Sequence, residues 1–360
     1  MGATFAFVAV PATTLSCTSP CDGPGCSAWY DGAVVAVHLG AGGASGPLDP
    51  LEADAWVAGS SAEGPDWSVA VGPGILWTGI PSVSRVTPIS LAGGGALSLP
   101  DAAPEIVDPT GTARLGAAVL RLPDSDGDGV AELLVGAPST RRSSRTIDDG
   151  AALLFSGLGD GSTGQLGVAD ATLTVLGEEA GGRLGEVLAG CGDFDGDGLA
   201  DWAAAAPYAD GGVSQAGRVL LVRSGDVAGA DPVLEADALP TSWFGADIGA
   251  RAGNSVDCRN DLTGDGLADL VVGAPFADGD VEAAGAVYLL EGGAVMATGG
   301  TGRRLPDAAR ATLSGTVAEE WLGWSVSTGD LDGDGVAELV AGAPGWQAET
   351  GRIKGWRVDD

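Results

Sequence analysis

Four stretches of this sequence nearly superimpose, and their regular spacing indicates the architecture. They read DSDGDGVAELLVGAP at 124–138, DFDGDGLADWAAAAP at 193–207, DLTGDGLADLVVGAP at 261–275 and DLDGDGVAELVAGAP at 330–344. Their first residues are 69, 68 and 69 positions apart (193 − 124, 261 − 193, 330 − 261). A motif of this length with a nearly fixed period is typical of stacked or radially arranged supersecondary units.

Each repeat has further elements on both sides of this motif. Upstream lies an apolar residue followed by glycine: Leu115-Gly116, Leu184-Gly185, Phe244-Gly245 and Leu322-Gly323. The longer gap after Phe244-Gly245 predicts an insertion near residues 250–256. Downstream, a glycine opens one strand-like run, and a second run follows as ATLTVLG from Ala171, PVLEA from Pro232 and ATLSG from Ala311. Four short strands per repeat are the content of one β-propeller blade.

Two degenerate copies precede the four repeats. ILWTGIPS from Ile75 resembles the ELLVGAPS of the first repeat, but its acidic loop has shrunk to Gly72-Pro73-Gly74. FAFVAVPA from Phe5 and GAVVAVHLG from Gly32 form the earlier copy, so the apolar N-terminus is predicted to be a strand and not a signal. We expect one propeller over 1–360: a degenerate blade with a cysteine-containing loop at 1–66, a blade without an acidic loop at 67–110, and repeats with acidic loops at 111–360.

The composition excludes several classes of function. The formal net charge is −32, and such a surface is a poor partner for nucleic acid or an anionic membrane. No apolar run approaches the ~18 residues that a transmembrane helix needs. The chain has 62 glycines and 20 prolines, and short Val/Leu/Ala-rich runs lie between turn residues, which predicts an all-β fold of many short strands.

These motifs resemble the FG-GAP repeats of the integrin α-subunit head and its bacterial relatives. The resemblance runs from about Trp67 to Trp356, with all three elements in order: the apolar residue with glycine, the acidic loop, and Gly-Ala-Pro. It implies an all-β propeller of four-stranded antiparallel blades with calcium in loops at one face. About six blades are visible where the family has seven, so an incomplete ring is an open alternative.

The acidic loops have the residues that calcium prefers, which are six to eight oxygen ligands in a flexible geometry. Positions 1, 3, 5 and 9 would give side chains, position 7 a backbone carbonyl, and glycines at positions 4 and 6 the positive φ angles. The predicted ligands are Asp124, Asp126, Asp128, Val130 and Glu132; Asp193, Asp195, Asp197, Leu199 and Asp201; Asp261, Thr263, Asp265, Leu267 and Asp269; and Asp330, Asp332, Asp334, Val336 and Glu338. We expect the third site to be the weakest, because Thr263 replaces a carboxylate.

Neither an EF-hand, nor a magnesium site, nor a plain turn fits these loops as well as calcium does. An EF-hand requires a glutamate at position 12, where this chain has Val135, Ala204, Val272 or Ala341. Magnesium prefers a tighter octahedral shell with more water. Plain Asp-Gly turns would leave three or four carboxylates together without a counter-ion.

No catalytic apparatus is predicted. The one histidine, His38, is expected on a strand, and a histidine-based triad or zinc site cannot be built from it alone. Cys17, Cys21 and Cys26 share a Gly/Pro-rich loop, where one disulfide would suit an exported protein. Cys191 and Cys258 lie before consecutive acidic loops and either bridge blades or are buried thiols.

Ten tryptophans are scattered along the chain. Trp202, Trp243, Trp321 and Trp324 are predicted to pack between blades. Trp29, Trp56 and Trp346 lie in less regular stretches that are candidates for a binding face.

The expected function is that of a non-enzymatic, calcium-binding propeller at the cell surface or outside the cell, which mediates adhesion or binds a protein or glycan ligand. The adhesion role follows from the resemblance, since propellers host many functions. Two alternatives stay open: an accessory propeller of a secreted hydrolase or lyase, and a structural surface-coat protein.

Overall fold

The computed structural model describes residues 4–11, 14–15, 28–29, 32–39, 55–58, 68–72, 75–90, 104–142, 147–158, 164–279, 281–293, 300–346 and 351–358. Contacts divide the chain into two compact units, one formed by Met1–Val119 with Asp160–Ala169 and the other by Leu120–Gly159 with Asp170–Asp360. None of the helices in the described part is long and apolar enough to cross a lipid bilayer.

Short strands dominate both units. In chain order they are β1 (Thr4–Pro11), β2 (Thr14–Leu15), β3 (Ala28–Trp29), β4 (Gly32–Leu39), β5 (Ala55–Ala58), β6 (Ser68–Gly72), β7 (Ile75–Ile80), β8 (Arg85–Ser90), β9 (Glu105–Val107), β10 (Val119–Leu122), β11 (Glu132–Gly136), β12 (Ala151–Phe155), β13 (Gln165–Gly167) and β14 (Leu173–Leu176). They continue with β15 (Val187–Gly192), β16 (Asp201–Ala206), β17 (Arg218–Val222), β18 (Val233–Glu235), β19 (Thr241–Phe244), β20 (Ser255–Asp257), β21 (Leu270–Ala274), β22 (Ala286–Leu290), β23 (Gly300–Arg304), β24 (Ala311–Ser314), β25 (Ser325–Gly329), β26 (Glu338–Ala343) and β27 (Arg352–Arg357). The helices are single turns: α1 (Ser224–Val227), α2 (Leu305–Ala308) and the 3-10 turns Pro81–Val83, Val168–Asp170 and Ala236–Ala238.

The first unit contains the two degenerate copies. The predicted N-terminal strand is confirmed: β1 pairs antiparallel with β4 from Thr4 opposite Leu39 to Pro11 opposite Gly32, and β5 joins the other edge of β4. His38 lies on β4, as expected. A second sheet has the order β6-β7-β8-β9, with β13 at its edge, and β2 pairs with β3. Pro73 and Gly74 of the shortened loop, and Cys17, Cys21 and Cys26, lie outside the described residues.

The second unit is built from four sheets, one for each repeat. Their strand orders are β10-β11-β12-β14-β18, β15-β16-β17-β19-β23, β20-β21-β22-β24 and β25-β26-β27. The successive strands of each repeat are antiparallel, and β15 lies beside β20, which lies beside β25. The all-β propeller fold with four-stranded antiparallel blades is therefore confirmed for these repeats, with three described strands in the last one.

Some sheets carry a fifth strand from the next repeat, which the sequence did not reveal. Strand β18 pairs in parallel with β14, and β23 pairs in parallel with β19. The assignment of PVLEA as the fourth strand of its own repeat was wrong. Val233–Glu235 covers the open edge of the preceding sheet, and the fourth strand of the second repeat is β19. A short strand added in this way protects the backbone groups of a sheet edge.

The predicted insertion in the third repeat was also wrong, because Phe244-Gly245 ends a repeat and does not begin one. The Gly245 N–H donates to the Gly217 carbonyl at 3.0 Å. In the preceding sheet the Gly177 N–H donates to the Gly150 carbonyl at 2.9 Å, so Gly245 and Gly177 occupy equivalent positions at the end of a repeat.

Ala252-Gly253 is the true start of the third repeat. The Gly253 N–H donates to the Gly273 carbonyl at 3.0 Å. The Gly185 N–H makes the equivalent bond to Ala205, at 3.1 Å. Gly253 is eight residues before its acidic loop (261 − 253), the same gap as in the first two repeats. Alanine in place of leucine concealed this start in the sequence.

The core lies between neighbouring sheets of the second unit. All residues of the second and third strands are buried in its first three sheets, where each strand packs on both faces. Trp202 and Trp243 are each 1% exposed, as predicted. Trp321 is half-buried and Trp324 is 45% exposed, so these two side chains are less buried than Trp202 and Trp243.

A disulfide joins two of these sheets. Cys191, in β15, is bonded to Cys258, which directly follows β20, and both side chains are fully buried. Their Cα atoms are 4.4 Å apart, although 67 residues separate them in sequence. Of the two alternatives left open by the sequence, the bridge between blades is therefore the correct one.

Candidate metal centre

Each acidic loop joins the first strand of a sheet to the second, so all four loops lie at the same end of their sheets. The glycines at positions 4 and 6 adopt the predicted left-handed conformation. Their φ angles are 84° and 85° for Gly127 and Gly129, 85° and 90° for Gly196 and Gly198, 80° and 90° for Gly264 and Gly266, and 82° and 91° for Gly333 and Gly335. Residues other than glycine rarely adopt such angles, which is why the motif repeats glycine there.

The first aspartate organises the loop around itself. In the first loop, Asp124 Oδ1 accepts the Gly127 N–H at 2.7 Å, and Oδ2 accepts the Gly129 N–H at 2.9 Å. Asp193, Asp261 and Asp330 accept the equivalent bonds in the other loops. These bonds wrap the backbone into the shape in which the remaining acidic side chains can point inward.

The first loop brings all four of its predicted carboxylates together. Asp124, Asp126, Asp128 and Glu132 each offer an oxygen within 4.8 Å of the others. Glu132 is 1% exposed; its Oε2 accepts the Ser125 N–H and hydroxyl, whereas its buried Oε1 has no hydrogen-bond partner. Burial raises the pKa of Glu132, with a further contribution from Asp126 and Asp124. An unpartnered buried carboxylate oxygen beside three other carboxylates is the environment that a bound cation would satisfy.

The second loop gathers Asp193, Asp195 and Asp197 in the same way. Asp201, at position 9, is fully buried, and its two oxygens accept the backbone N–H groups of Ser224 and Phe194, both at 2.9 Å. Burial raises the pKa of Asp201 to about 6, although these two bonds oppose the shift. The position-9 aspartate therefore ties the loop to the end of the third strand, and its role as a ligand remains a prediction.

The third loop is the least organised for a cation. Of the four loops, all of which are described, it is the one where no three carboxylates offer oxygens within 4.8 Å of one another. Its Asp269 accepts the Leu262 and Thr263 N–H groups through Oδ2, and the Gly292 N–H through Oδ1. The expectation that this site is the weakest stays a prediction.

The fourth loop gathers Asp330, Asp332 and Glu338, but its Asp334 is paired elsewhere. Arg357 Nη1 lies 2.7 Å from Asp334 Oδ2. The carbonyl ligands predicted at Val130, Leu199, Leu267 and Val336 also stay predictions. In all four loops the candidate ligand atoms are oxygens, most of them from carboxylate groups. These ligands suit calcium, and the loops offer no nitrogen or sulfur ligand that a softer metal would prefer.

The opposite end of the sheets carries a stack of arginine and aromatic side chains. The Arg183 guanidinium lies 4.6 Å from the centre of the Tyr208 ring. Arg251 lies between Tyr208 and Phe276, at 4.8 and 4.9 Å from the two ring centres. These are cation–π distances, and the stack connects consecutive sheets.

Two tryptophans extend this stack into the fourth sheet. The Phe276 ring meets Trp321 at 6.2 Å and Trp324 at 5.9 Å between ring centres, both edge-on. The arginines and Trp321 directly precede the residue pairs that open the repeats, and Tyr208 and Phe276 directly follow the prolines that end the motifs. The period of 68–69 residues could have revealed this alignment. The candidate Trp346 lies against the Arg352 guanidinium, 3.6 Å from its ring centre.

One acidic pocket lies away from the loops, between the first two sheets of the second unit. Glu178, Glu179 and the buried Arg218 line it. Burial, together with a hydrogen bond to Asp237, raises the pKa of Glu178 to about 7. Arg218 Nη1 lies 2.7 Å from Asp237 Oδ1, so one side chain that lines the pocket is held in an ion pair.

Comparison with known families identifies the repeats. The model described as "FG-GAP repeat" matches residues 184–222, 252–290 and 322–354, each of which begins at the residue pair that opens a sheet. The second match begins at Ala252, in agreement with the structure. The first acidic loop, residues 124–132, lies outside the matches, although it has the same pattern of aspartates and glycines as the second and fourth loops.

The curated relatives include both integrin α-subunits and a phospholipase. Mouse integrin alpha-IIb is 34% identical over 158 residues, which is 42% of this chain and 14% of that protein. Rat phosphatidylinositol-glycan-specific phospholipase D is 33% identical over 166 residues, or 45% of this chain and 18% of that protein. The chain thus spans less than a fifth of the length of either relative. A solved structure, "Structure of Dos1 propeller", has a TM-score of 0.44 at 10% identity and covers 92% of this chain and 62% of that one.

Proposed function

We propose that this chain, which carries the FG-GAP repeats of a β-propeller, is a calcium-stabilised, non-enzymatic scaffold that binds a protein or glycan ligand outside the cell. The observation that carries the proposal is the first acidic loop, where four carboxylates converge and the buried Glu132 Oε1 has no partner. The three other loops repeat the same backbone shape around Asp193, Asp261 and Asp330.

Calcium would supply the positive charge that these loops lack. The loops contain 15 carboxylates (4 + 4 + 3 + 4), and four ions would bring the net charge from −32 to −24 (−32 + 8). Each loop lies between the first two strands of a sheet, so a bound ion would hold both strand ends together. Because binding favours the folded state, each site would add about 2.7 kcal/mol of stability at a calcium concentration 100 times its Kd.

An extracellular location agrees with the chemistry of the cysteines. Disulfides such as Cys191–Cys258 form and persist in oxidising compartments. Extracellular calcium modules also work with dissociation constants of about 0.1–1 mM, a range that suits loops open to solvent at Asp126 and Asp128.

The ligand would bind at the end of the sheets opposite the calcium loops. There the half-buried Tyr208 and Phe276 and the more exposed Trp324 present ring surface. Aromatic surface with polar neighbours is common in protein and glycan recognition. The likeness to integrin α-subunits suggests that this ligand binding serves adhesion.

A second candidate is an accessory propeller that serves a secreted hydrolase. The likeness to phosphatidylinositol-glycan-specific phospholipase D favours it, since that relative matches over a similar share of this chain. In that case the propeller would position a catalytic domain and would bind its substrate or that domain.

Protein and glycan arrays test the proposal. The full chain is applied at about 2 mM calcium, above the range of typical extracellular sites, and again in EDTA. We expect saturable binding to at least one ligand class, lost in EDTA and weakened by Trp324→Ala. Replacing the solvent-exposed Ile248 by alanine is the control, because it removes an exposed apolar side chain outside the stack. Absence of any ligand in calcium, or turnover of an arrayed substrate, would contradict the proposal.

A further inference from the structure

We propose that Arg357 is a built-in competitor of calcium in the fourth loop, so that this site binds calcium more weakly than its carboxylates alone would allow. The inference rests on the proposed function, since it concerns the same loops. It assigns a role in setting cation affinity to a residue outside the nine-residue motif.

The position of Arg357 follows from strand register. It is the last residue of β27, directly opposite Glu338, which is the ninth residue of the fourth loop. Its Nη1 atom lies 2.7 Å from Asp334 Oδ2, and 3.9 Å from both Asp332 Oδ2 and Glu338 Oε1. The guanidinium therefore faces three of the four predicted carboxylate ligands of this loop.

Asp334 shows the consequence of this pairing. In the first loop the fifth-position Asp128 converges with the other three carboxylates, but in the fourth loop the converging group is Asp330, Asp332 and Glu338. Asp334, the fifth-position residue, is bonded to Arg357 instead. A cation that uses all four carboxylates must first break this ion pair.

In the first three repeats the equivalent residue is a serine, an arginine and a glutamate. It follows the third strand, and the register Leu133–Phe155, Trp202–Val222 and Leu270–Leu290 places Ser156, Arg223 and Glu291 there. Ser156 carries no charge, so the first loop has no competitor at this position. Glu291 pairs with Arg310 at 3.0 Å and brings no cation to the third loop.

Arg223 is the natural comparison, because it is an arginine whose shortest bonds are to a carboxylate outside its loop. Its Nε and Nη2 atoms bind the two oxygens of Asp226 at 2.8 and 2.6 Å. Its nearest ion-pair contact with the second loop is 3.8 Å, to Asp195. The carboxylate of Asp226 thus neutralises Arg223, whereas Arg357 has loop carboxylates as its ion-pair partners in every salt bridge described for it.

Electrostatics then sets the direction and size of the effect. A guanidinium and a calcium ion cannot share one carboxylate cluster without repulsion, so calcium must displace Arg357 towards solvent. The Arg357 and Asp334 side chains are about 40% exposed, and breaking one exposed ion pair changes an equilibrium by up to about fivefold. We expect the fourth loop to bind calcium about fivefold more weakly than it would without Arg357.

One NMR titration can report all four loops separately. The glycine at position 6 of each loop donates its N–H to the first aspartate, and calcium binding to that aspartate will shift the amide signal. The four reporters are Gly129, Gly198, Gly266 and Gly335. Calcium is added to the deuterated, 15N-labelled full chain after removal of metal by EDTA.

Three variants complete the test. Arg357→Gln should lower the calcium midpoint of Gly335 about fivefold and leave the other three midpoints unchanged. Arg357→Lys, which keeps the charge, should stay near the wild-type midpoint. Arg142→Gln removes an equally exposed surface arginine that pairs with Glu235, and it should move no midpoint.

The outcomes distinguish the competitor role from the calcium function on which it depends. If all four glycines respond but Arg357→Gln leaves the Gly335 midpoint unchanged, the competitor role is wrong and the calcium function stands. If none of the four glycines responds to calcium in any variant, the proposed function itself is wrong.

Discussion

Replacing Cys191 and Cys258 together by alanine is expected to lower the free energy of unfolding by about 4 kcal/mol. The disulfide closes a loop of 67 residues, and the entropy that such a cross-link removes from the unfolded chain corresponds to about this value. Both sulfur atoms are fully buried between two sheets, so the variant also leaves a small cavity. Urea unfolding, followed by tryptophan fluorescence, measures the change.

The reductant dependence isolates the cross-link from the cavity. Wild-type protein should lose most of the same stability when the disulfide is reduced, whereas the double variant should be insensitive to reductant. If the oxidised wild type and the double variant unfold at the same urea concentration, the bridge between the sheets does not stabilise the fold.

Replacing Glu320 by glutamine is expected to cost about 3 kcal/mol, because it removes a buried carboxylate and leaves two half-buried cations without their counter-ion. Glu320 is fully buried, and its Oε1 is bonded to Arg352 and to Lys354 Nζ, the latter at 2.9 Å. Its Oε2 accepts the Thr316 N–H at 2.8 Å. Glu319→Gln is the matched control, because Glu319 is the adjacent residue and its side chain is exposed.

The same cluster predicts how stability depends on pH. Burial alone would raise the pKa of Glu320, but the hydrogen bonds from Lys354, Thr316 and Arg352 outweigh it and lower the pKa to about 2. A carboxyl with a lowered folded-state pKa stabilises the fold above its unfolded pKa of 4.5, and that stability is lost as pH falls from about 4.5 to 2. Wild type and Glu320→Gln should therefore converge in stability across this window. A constant difference from about pH 6 to pH 2 would contradict the assignment.

The repeat period made the blades predictable, whereas the connections between them were hidden. The sequence of the acidic loops predicted both their place between two strands and the positive φ of glycines such as Gly127. Val233–Glu235 was misassigned because strand propensity does not tell which sheet a strand joins. The start of the third repeat was missed because Ala252 stands where the other repeats have leucine. The backbone hydrogen bond of Gly253, which marks the start in the structure, does not depend on that preceding residue.

The candidate site was predictable to a similar extent. Residue types alone place the carboxylates within each loop, and the structure brings all four together in the first. They do not reveal that Asp201 and Asp269 are bonded to backbone N–H groups, or that Arg357 faces the fourth loop. The contacts with Ser224, Gly292 and Arg357 join a loop to the end of another strand, so strand register determines them. The arginine–aromatic stack was missed for the same reason, since Arg251 meets rings from two different sheets.

Counting the calcium ions bound by the chain is the decisive test of the four loops. The full chain is stripped with EDTA, dialysed against increasing free calcium, and analysed for bound metal and for thermal unfolding in the same samples. We predict four bound ions per chain at a few millimolar free calcium, roughly the range of extracellular modules, with an unfolding temperature that rises as the sites fill. No bound calcium, together with an unfolding temperature that is the same in EDTA and in calcium, would contradict the assignment of the four loops.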